Sequence, residues 1–390
     1  MQLIFPIRPF VEIRFSLACL RHSFRFKQFL RFYAKCVLKS LYSRSNRYYR
    51  DKEELSVHIP DNYLSPATCA VIGAAMVPVL AVSVKKVKEE ITKAQMPMLG
   101  VGAAFSFLMM MFNVPLPGGT TGHAVGGTLI AILLGPYSAC ISVTVSLLIQ
   151  ALLFGDGGIL AFGANTFNMA FVLPFVGYFI YKLIKDRFKS ERGEYLGAIV
   201  GSYVGINLAA LVAAIEFGIQ PLLFQNAAGQ ALYCPYPLQV SIPAMLIPHL
   251  LVAGVVEALF TVLILAFIRK VSPGSIYSGE VKRSKAVYGL LAALICLVPL
   301  GLLAAGTAWG EWDADEIGSV VSGGSALGYV PEKIMNGFSL DALMPDYSVA
   351  GLPEAVGYIL SAICGVAIMI ILFKVISSFV REKKQHDLRG

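Results

Sequence analysis

Residues 193–217 read GEYLGAIVGSYVGINLAALVAAIEF, an apolar stretch in which glycine recurs at every fourth position through residue 205. As a helix this stretch is long enough to cross a bilayer, which takes about 20 apolar residues. Eight more apolar segments lie near 65–84, 96–112, 123–135, 137–154, 163–182, 243–268, 286–306 and 354–380. The sequence therefore predicts an all-α polytopic membrane protein, with about seven transmembrane helices in one bundle and two in a C-terminal module.

Composition supports this fold class and argues against a soluble protein. Hydrophobic residues make up 56% of the chain and charged residues 14%, and the mean hydropathy is +0.69. A soluble protein of this length needs far more polar surface. The net charge of +8 comes entirely from residues 1–56, which hold 12 Lys/Arg against 4 Asp/Glu. The remaining chain is balanced, so it indicates contact with membrane lipid and no nucleic-acid partner.

The basic residues also predict the topology of the helices. The stretches 84–94, 182–194, 269–285 and the tail from 374 carry 19 Lys/Arg, whereas the loops between them at the other end carry only Lys333. Cytoplasmic loops are rich in Lys and Arg. We therefore expect the end near position 57 to lie on the outer side of the cell membrane. In a cell with two membranes, this is the inner membrane.

The first 56 residues do not fit this topology, because their 12 basic residues would lie outside. They lack the compact apolar region and cleavage site of a signal peptide, and an amphipathic surface helix is the alternative. We expect instead that they are translated from upstream of the true start. Val57 has codons that include GUG, a bacterial start codon, and Lys52-Glu53-Glu54 can be encoded by AAGGAGGAA, which contains a ribosome-binding sequence.

Four regions follow from these patterns. Residues 1–56 are the doubtful leader, 57–270 a transmembrane bundle, 271–285 a cytoplasmic linker, and 286–390 a separate two-helix module with an ordered exterior segment, 307–353. The third and fourth apolar segments are short and are split by Gly135-Pro136, so we expect them to be tilted or partly re-entrant.

The glycine repeat in the sixth segment has two interpretations. Small residues at every fourth position let another helix approach closely. The partner is either a helix of the same chain or a separate membrane subunit. The residues concerned are Gly193, Gly197, Gly201 and Gly205.

Two histidines stand in stretches with the chemistry of a metal site. His58 opens the stretch 58–66, HIPDNYLSP, and His123 ends a glycine-rich loop, PGGTTGH at 117–123. If Val57 is a free amino terminus, its amine, the amide nitrogen of His58 and the His58 imidazole chelate a metal in a five-membered and a six-membered ring. The His123 imidazole completes a planar four-nitrogen set, which suits Ni(II) or Cu(II), or Co(II) with axial room. Alternatively, the glycines only permit a tight turn that His123 caps.

Four polar residues near these stretches are candidates for orienting the histidines through hydrogen bonds. They are Asn113, Asp156, Asn165 and Asn168. Asp156 could equally just start a turn, since glycines lie on both sides. Two ionisable residues in the seventh segment, His249 and Glu257, are interpreted as interhelical hydrogen-bond partners or as a docking feature.

Taken in order, the 58–66 stretch, NVPLPGGTTGH at 113–123 and FGDGG at 154–158 with Asn165 and Asn168 resemble the cobalt/nickel substrate-capture protein of energy-coupling-factor importers. The resemblance covers about 57–270 and implies that Val57, His58 and His123 bind the metal. Residues 308–312 and 345–348 resemble the two-helix accessory subunit of these importers, here fused.

The resemblance implies an ATP-driven import of Co(II), for cobalamin synthesis, or Ni(II), for metalloenzymes. It implies a transmembrane coupling subunit and two ATPase subunits as partners, and no cofactor. The absence of a GxxxxGK[ST] loop agrees with energy supplied by partners. The alternatives are a membrane-embedded metallohydrolase with His58, His123 and Asp156 as ligands, and a structural or accessory membrane protein. Cobalt and nickel are not distinguished by these ligands.

Overall fold

A computed structural model of the protein describes residues 58–271, 285–304, 306–322 and 325–379. Val57, the leader and most of the linker lie outside these residues. Among the described residues, seven helices are long and apolar enough to cross a membrane. The all-α polytopic fold is therefore confirmed.

The helices are α1 Pro66–Glu90, α2 Met96–Met110, α3 Gly127–Leu134, α4 Pro136–Phe154, α5 Phe162–Phe188, α6 Glu191–Leu223, α7 Leu238–Val271, α8 Lys285–Leu303 and α9 Glu354–Phe379. Two short antiparallel hairpins pair β1 Val114–Leu116 with β2 Thr120–Gly122, and β3 Val321–Ser322 with β4 Ser325–Ala326. Short helical turns occupy Ala314–Ile317, Glu332–Asn336 and Pro345–Tyr347.

All nine predicted segments form helices, but two of them are too short to span a bilayer. Helix α2 has 15 residues, all of them buried, and α3 has 8. Of the bundle helices, five are by themselves long enough to span a bilayer, and the shorter α2 and α3 are enclosed among other elements. The predicted break at Gly135-Pro136 is confirmed, because Gly135 takes a φ of 91°, which favours glycine, between α3 and α4.

The glycine repeat of α6 packs against α5 of the same chain. A Cβ atom at Gly197 would lie 2.8 Å from the Tyr181 carbonyl oxygen, and one at Gly205 would lie 2.7 Å from the Leu173 carbonyl oxygen. Gly193 and Gly201 face α5 and the residues after it in the same way. All four glycines therefore pack within the same chain, and this face of α6 is covered by α5 and not by a separate subunit.

The C-terminal module packs directly on the bundle. Helix α9 lies along α2, and the two helices approach closely at Gly100 and Gly365. The Tyr358 hydroxyl donates to the Met111 carbonyl oxygen at 3.0 Å, and the Ser377 hydroxyl donates to that of Lys93 at the other end of α9. The two modules therefore share one buried core.

The segment between α8 and α9 lies across the end of the bundle where α1 begins. The Tyr63 hydroxyl donates to the Trp312 carbonyl oxygen, and the Met344 amide donates to that of Leu153 at 2.8 Å. Buried aromatic rings of Trp309 and Trp312 pack with those of the bundle. Like the loops of the bundle at this end, this segment is connected to the 58–66 stretch by both backbone and side-chain contacts.

Candidate metal centre

The 58–66 stretch is held in place by hydrogen bonds to its backbone and side chains. Asn165 at the start of α5 binds Ile59 twice, because its Oδ1 accepts from the Ile59 amide and its Nδ2 donates to the Ile59 carbonyl oxygen. The Asp61 carboxylate accepts from the amides of Ile159 and Leu160, which precede α5. Ser65 caps α1 by accepting from the Thr68 amide. The residue that follows position 57 is therefore fixed against the mouth of the bundle.

Glycines in the 154–158 motif let His58 approach the loop after α4. Gly157 has a φ of +94°, and a Cβ atom there would lie 2.9 Å from that of His58. Gly158 lies against the Asp61 backbone, where a Cβ atom would overlap it, and its amide donates to the Ile59 carbonyl oxygen at 2.9 Å. Larger side chains at either glycine would push His58 away from the loop.

His123 is positioned by the β1–β2 hairpin and by Glu257. The hairpin ends at Gly122, and the backbone then turns to enter α3. The Glu257 carboxylate, fully buried on α7, accepts from the Val125 amide at 2.7 Å and the Gly126 amide at 3.1 Å. The predicted interhelical hydrogen bonds of Glu257 and His249 are therefore corrected: Glu257 bonds to the backbone of the His123 loop, and His249 Nδ1 donates to the Met245 carbonyl oxygen of its own helix.

His58 and His123 come together inside one cavity. Their ring centroids are 5.1 Å apart, and both residues are buried. His123 Nδ1 donates to the Ala124 carbonyl oxygen at 3.2 Å, which places the lone pair on Nε2. The Nε2 atoms of both histidines are buried and have no hydrogen-bond partner among the described residues. A cavity of about 90 Å³ lies beside them and is also lined by His249, Trp309 and Glu311.

Asp156 is the buried anion of this centre. His58 Nδ1 donates to its Oδ1 at 2.6 Å, while Oδ2 accepts from Gln150 Nε2 at 3.1 Å and from the Tyr347 hydroxyl. Both carboxylate oxygens are thus bonded to donors of the protein. Tyr347 comes from the C-terminal module, so two modules meet at this carboxylate.

The surroundings of these groups shift their pKa values. Burial and the neighbouring His58 lower the pKa of His123 to about 3, so its imidazole is neutral over the physiological range. Burial alone would raise the pKa of Asp156, but His58 and the Tyr347 hydroxyl bring it down to about 2. Burial and the Asp156 charge raise the pKa of Tyr347 well above its usual value, so its hydroxyl keeps its proton.

Only one of the two ring nitrogens of His58 can take part in a chelate with the His58 amide. A six-membered ring that includes the His58 amide nitrogen closes only through Nδ1, because Nε2 points away from the main chain. In the structure Nδ1 is bonded to Asp156, and Nε2 is the atom without a partner. The hydrogen bond to Asp156 and the chelate therefore use the same nitrogen, and a chelated metal replaces that hydrogen bond.

The predicted orienting residues divide into two groups. Asp156 bonds to His58, and Asn165 holds the adjacent backbone. Asn168 lines the cavity but donates to Glu216 at 2.7 Å, and Asn113 is buried without lining the cavity. Val57 lies outside the described residues, so the amine ligand stays a prediction.

The structure does not support the ligand set of the alternative hydrolase. Within the described part of the chain, no group of three or more His, Cys, Asp and Glu is placed to hold a metal ion. Asp156 contacts His58 through Oδ1 and two other donors through Oδ2, so it does not complete a three-ligand set with the two histidines.

Sequence reasoning missed several residues of the centre. Gln150 and Tyr347 hold Asp156, and Trp309 and Glu311 form part of the cavity wall. The residues of the C-terminal module lie 186 to 224 positions from His123, and periodicity carries no signal for such a contact. Their presence in the two short C-terminal motifs was the only hint available.

Replacing Glu257 with Gln is expected to reduce the free energy of unfolding by about 1–3 kcal/mol. A side-chain amide has only one acceptor oxygen, and its NH2 group would be placed against the backbone amides of the His123 loop. Thermal unfolding in detergent measures this. Glu191→Gln, an exposed carboxylate at the start of α6, is the matched control. Equal unfolding temperatures for the two variants would mean that Glu257 does not anchor the loop.

Comparisons with known proteins agree with this arrangement. Residues 58–275 match the family described as the cobalt uptake substrate-specific transmembrane region, and residues 283–382 match the PDGLE domain. A relative named as a probable fused nickel transport protein, LarMN of Lactiplantibacillus plantarum, is 53% identical over 321 residues, which are 82% of this chain and 97% of that protein. The fused nickel transport protein NikMN of Rhodobacter capsulatus is 44% identical, over 80% of this chain and 95% of that one.

A solved structure supports the same assignment for the bundle. The crystal structure of a truncated transition metal transporter is 58% identical, with a TM-score of 0.52, over 55% of this chain and 99% of that one. The family match covers more than half of the chain, and both fused relatives are named as transport proteins. The chain therefore belongs to the cobalt uptake substrate-specific transmembrane family, with a PDGLE domain fused after it, and is a membrane transport protein and not an enzyme.

Proposed function

We propose that this protein captures Ni(II) or Co(II) at the exterior face of the cell membrane and delivers it for import. The observation that carries the proposal is the pair of buried imidazoles of His58 and His123, with ring centroids 5.1 Å apart beside one cavity. Nitrogen ligands suit Ni(II) and Co(II). The relatives named as nickel and cobalt transport proteins support the same cargo.

The proposed ligands are the amine of position 57, the amide nitrogen and imidazole of His58, and the imidazole of His123. His123 binds through Nε2, since its Nδ1 is engaged by the Ala124 carbonyl oxygen. His58 binds through Nδ1 and gives up its hydrogen bond to Asp156. The proton that leaves Nδ1 is taken by Nε2 of the same ring, and the amide and amine protons leave for solvent.

The amine ligand requires that the functional chain begin at position 57. In any longer chain the nitrogen at 57 is part of a peptide bond and has no lone pair to offer at neutral pH. We therefore propose the domain boundaries given by the sequence, with 1–56 absent from the functional protein, 57–270 as the capture bundle, 271–285 as linker and 286–390 as accessory module. Mass analysis of the amino terminus of the protein made from its native gene tests the start.

Exterior placement follows from charge. Basic residues cluster at the ends of α1, α5 and α7 that lie away from the metal centre, including Lys88, Lys185 and Lys270. The loops that form the centre carry almost none. This asymmetry supports a cytoplasmic location for the basic ends and an exterior location for the histidines.

Energy for import is proposed to come from partners of the energy-coupling-factor type, a transmembrane coupling subunit and two ATPases. The 390-residue sequence contains no GxxxxGK[ST] loop, which supports an external source of ATP hydrolysis. Uptake of radioactive nickel by cells that express this chain with and without these partners tests the requirement. Equal uptake without the ATPases would contradict it.

Replacing His123 with Ala is expected to weaken Ni(II) binding about 100-fold. Four-ligand sites bind metal with about 10–16 kcal/mol, so each ligand contributes about 3 kcal/mol. Titration of the protein made from its native gene, followed by the d–d absorption of Ni(II) and Co(II), measures the affinity.

The matched control is His249→Ala, because His249 lines the same cavity but donates from Nδ1 to the Met245 carbonyl oxygen of its own helix. Its affinity is expected to change less than threefold, well below the effect of a lost ligand. If both variants bind Ni(II) as the parent protein does, or the parent protein binds none, the capture site is not where we place it.

A further inference from the structure

We propose that Tyr347 of the C-terminal module is a positioning residue of the metal centre, acting on His58 through Asp156. The inference rests on the proposed function, since it concerns how tightly the same centre holds its ion. It assigns to the accessory module a direct effect on metal affinity that is separate from the folding of the bundle.

The contacts form a continuous series between the two modules. The Tyr347 hydroxyl donates to Asp156 Oδ2, and His58 Nδ1 donates to Asp156 Oδ1. Gln150 Nε2 links the two acceptors, because it lies 3.1 Å from Asp156 Oδ2 and 2.8 Å from the Tyr347 oxygen. All four residues are buried.

Tyr347 is itself held firmly, which a positioning residue requires. Its ring stacks on Phe154 with centroids 4.8 Å apart, and its carbonyl oxygen accepts from the Ser361 hydroxyl at 2.8 Å. Asp346 and Tyr347 both have positive φ, 52° and 57°. For residues other than glycine this conformation costs energy and persists where the surroundings impose it. The backbone is thus bent to aim the hydroxyl at Asp156.

The donors on Oδ2 matter most when the metal takes Nδ1 of His58. Asp156 then loses its bond at Oδ1 and stays a buried carboxylate, which is costly without donors. Tyr347 and Gln150 are two groups that keep Oδ2 bonded. Removing the Tyr347 hydroxyl therefore raises the cost of metal capture, and it also loosens the carboxylate that orients the ring beforehand.

The test uses the full protein made from its native gene, with Ni(II) as the probe. Tyr347→Phe is expected to weaken Ni(II) binding about tenfold, the lower end of the effect seen when an outer partner of a metal ligand is removed. The dissociation rate of Ni(II) is expected to rise, because the Asp156 carboxylate that the metal displaces from His58 then has one donor fewer. In an Asp156→Asn background the same substitution is expected to change the affinity less than twofold, well short of that tenfold effect.

Tyr358→Phe is the matched control. Tyr358 is also a buried tyrosine of the C-terminal module, packs against Tyr347, and donates its hydroxyl to the Met111 carbonyl oxygen. It has the same hydroxyl to lose but no bond to Asp156. We expect its Ni(II) affinity and d–d band to match the parent protein, while its unfolding temperature falls about as much as that of Tyr347→Phe.

The outcomes separate this inference from the proposed function. If the parent protein and Tyr347→Phe bind Ni(II) equally, the inference is wrong and the capture site stands. An equal loss in Tyr347→Phe and Tyr358→Phe, or a loss that persists with Asp156→Asn, also overturns it, because the effect is then one of general stability. If the parent protein binds no Ni(II), the proposed function fails first. Should Tyr347→Phe not fold, Gln150→Met removes the other donor and is expected to weaken binding in the same direction.

Discussion

A chain whose first residue is position 57 is expected to bind Ni(II) about 10,000-fold more tightly than the same chain with one residue added before it. The extension turns the amine into a peptide nitrogen. That nitrogen has no lone pair at neutral pH, and without the amine to anchor the metal, the His58 amide is not deprotonated either. Two of four ligands are lost, each contributing about 3 kcal/mol.

The measurement compares chains that begin at 56 and at 57, each purified with its amino terminus verified by mass analysis. The matched control is a residue added at the carboxyl terminus, which leaves the amine free. Both extended chains are expected to unfold at the same temperature, since Ile59 and Asp61 hold the following segment in place whatever precedes it. Equal affinity in the chains beginning at 56 and 57 would exclude the amine as a ligand and leave a site of two imidazoles.

Much of the fold was predictable because membrane helices can be identified by their apolar composition. Each of the nine apolar segments is a helix, and Gly135-Pro136 breaks the chain where expected. The enclosed position of α2 was not predictable, because an apolar helix surrounded by protein and one surrounded by lipid have the same composition. Its 15 residues, all buried, differ from a span only in length.

The glycine repeat illustrates a different limit. The spacing of Gly197, Gly201 and Gly205 indicated that a helix approaches closely, and one does. Which helix it is depends on how the chain folds back, and α5 precedes α6 with only a short turn between them. Sequence alone left a separate subunit open as the partner.

For the metal centre, short motifs predicted the residues near His58 better than the contacts among them. Asp156 and Asn165 were expected to orient the histidines, and each contacts the 58–66 stretch. The sequence carried no sign that Asp156 takes the nitrogen that the chelate needs, because that depends on the rotation of one imidazole. The contact of Tyr347 with Asp156 could not be predicted either, because the two residues lie 191 positions apart in the sequence.

These contacts connect the two fused modules at the candidate metal centre. The segment between α8 and α9 provides cavity wall through Trp309 and Glu311, and a hydrogen bond to the central carboxylate through Tyr347. A bundle without this segment would leave Asp156 with one donor fewer and the cavity with an open side. The accessory module thus contributes to the cavity and hydrogen bonds of the candidate metal centre as well as to the membrane fold.

Acidification is expected to weaken Ni(II) binding by at least about 100-fold per pH unit below pH ~7.5. Capture by the chelate releases one proton from the amine, whose ordinary pKa is about 7.7, and one from the His58 amide. His123 adds none, because burial lowers its pKa to about 3 and it is already neutral. Protons compete with the metal for these nitrogens, so affinity falls as pH falls.

The slope of log affinity against pH distinguishes the two ways in which His58 could serve. Chelation through its amide and Nδ1 releases at least two protons, whereas binding through the unpartnered Nε2 atoms of His58 and His123 involves no amide and gives a slope of about one or less. Titrations between pH 6 and 7.5, with the proton release also measured by calorimetry in two buffers, decide this. A shallow slope would mean that Asp156 keeps its hydrogen bond to Nδ1 when the metal is bound, and that the carboxylate only orients the ring.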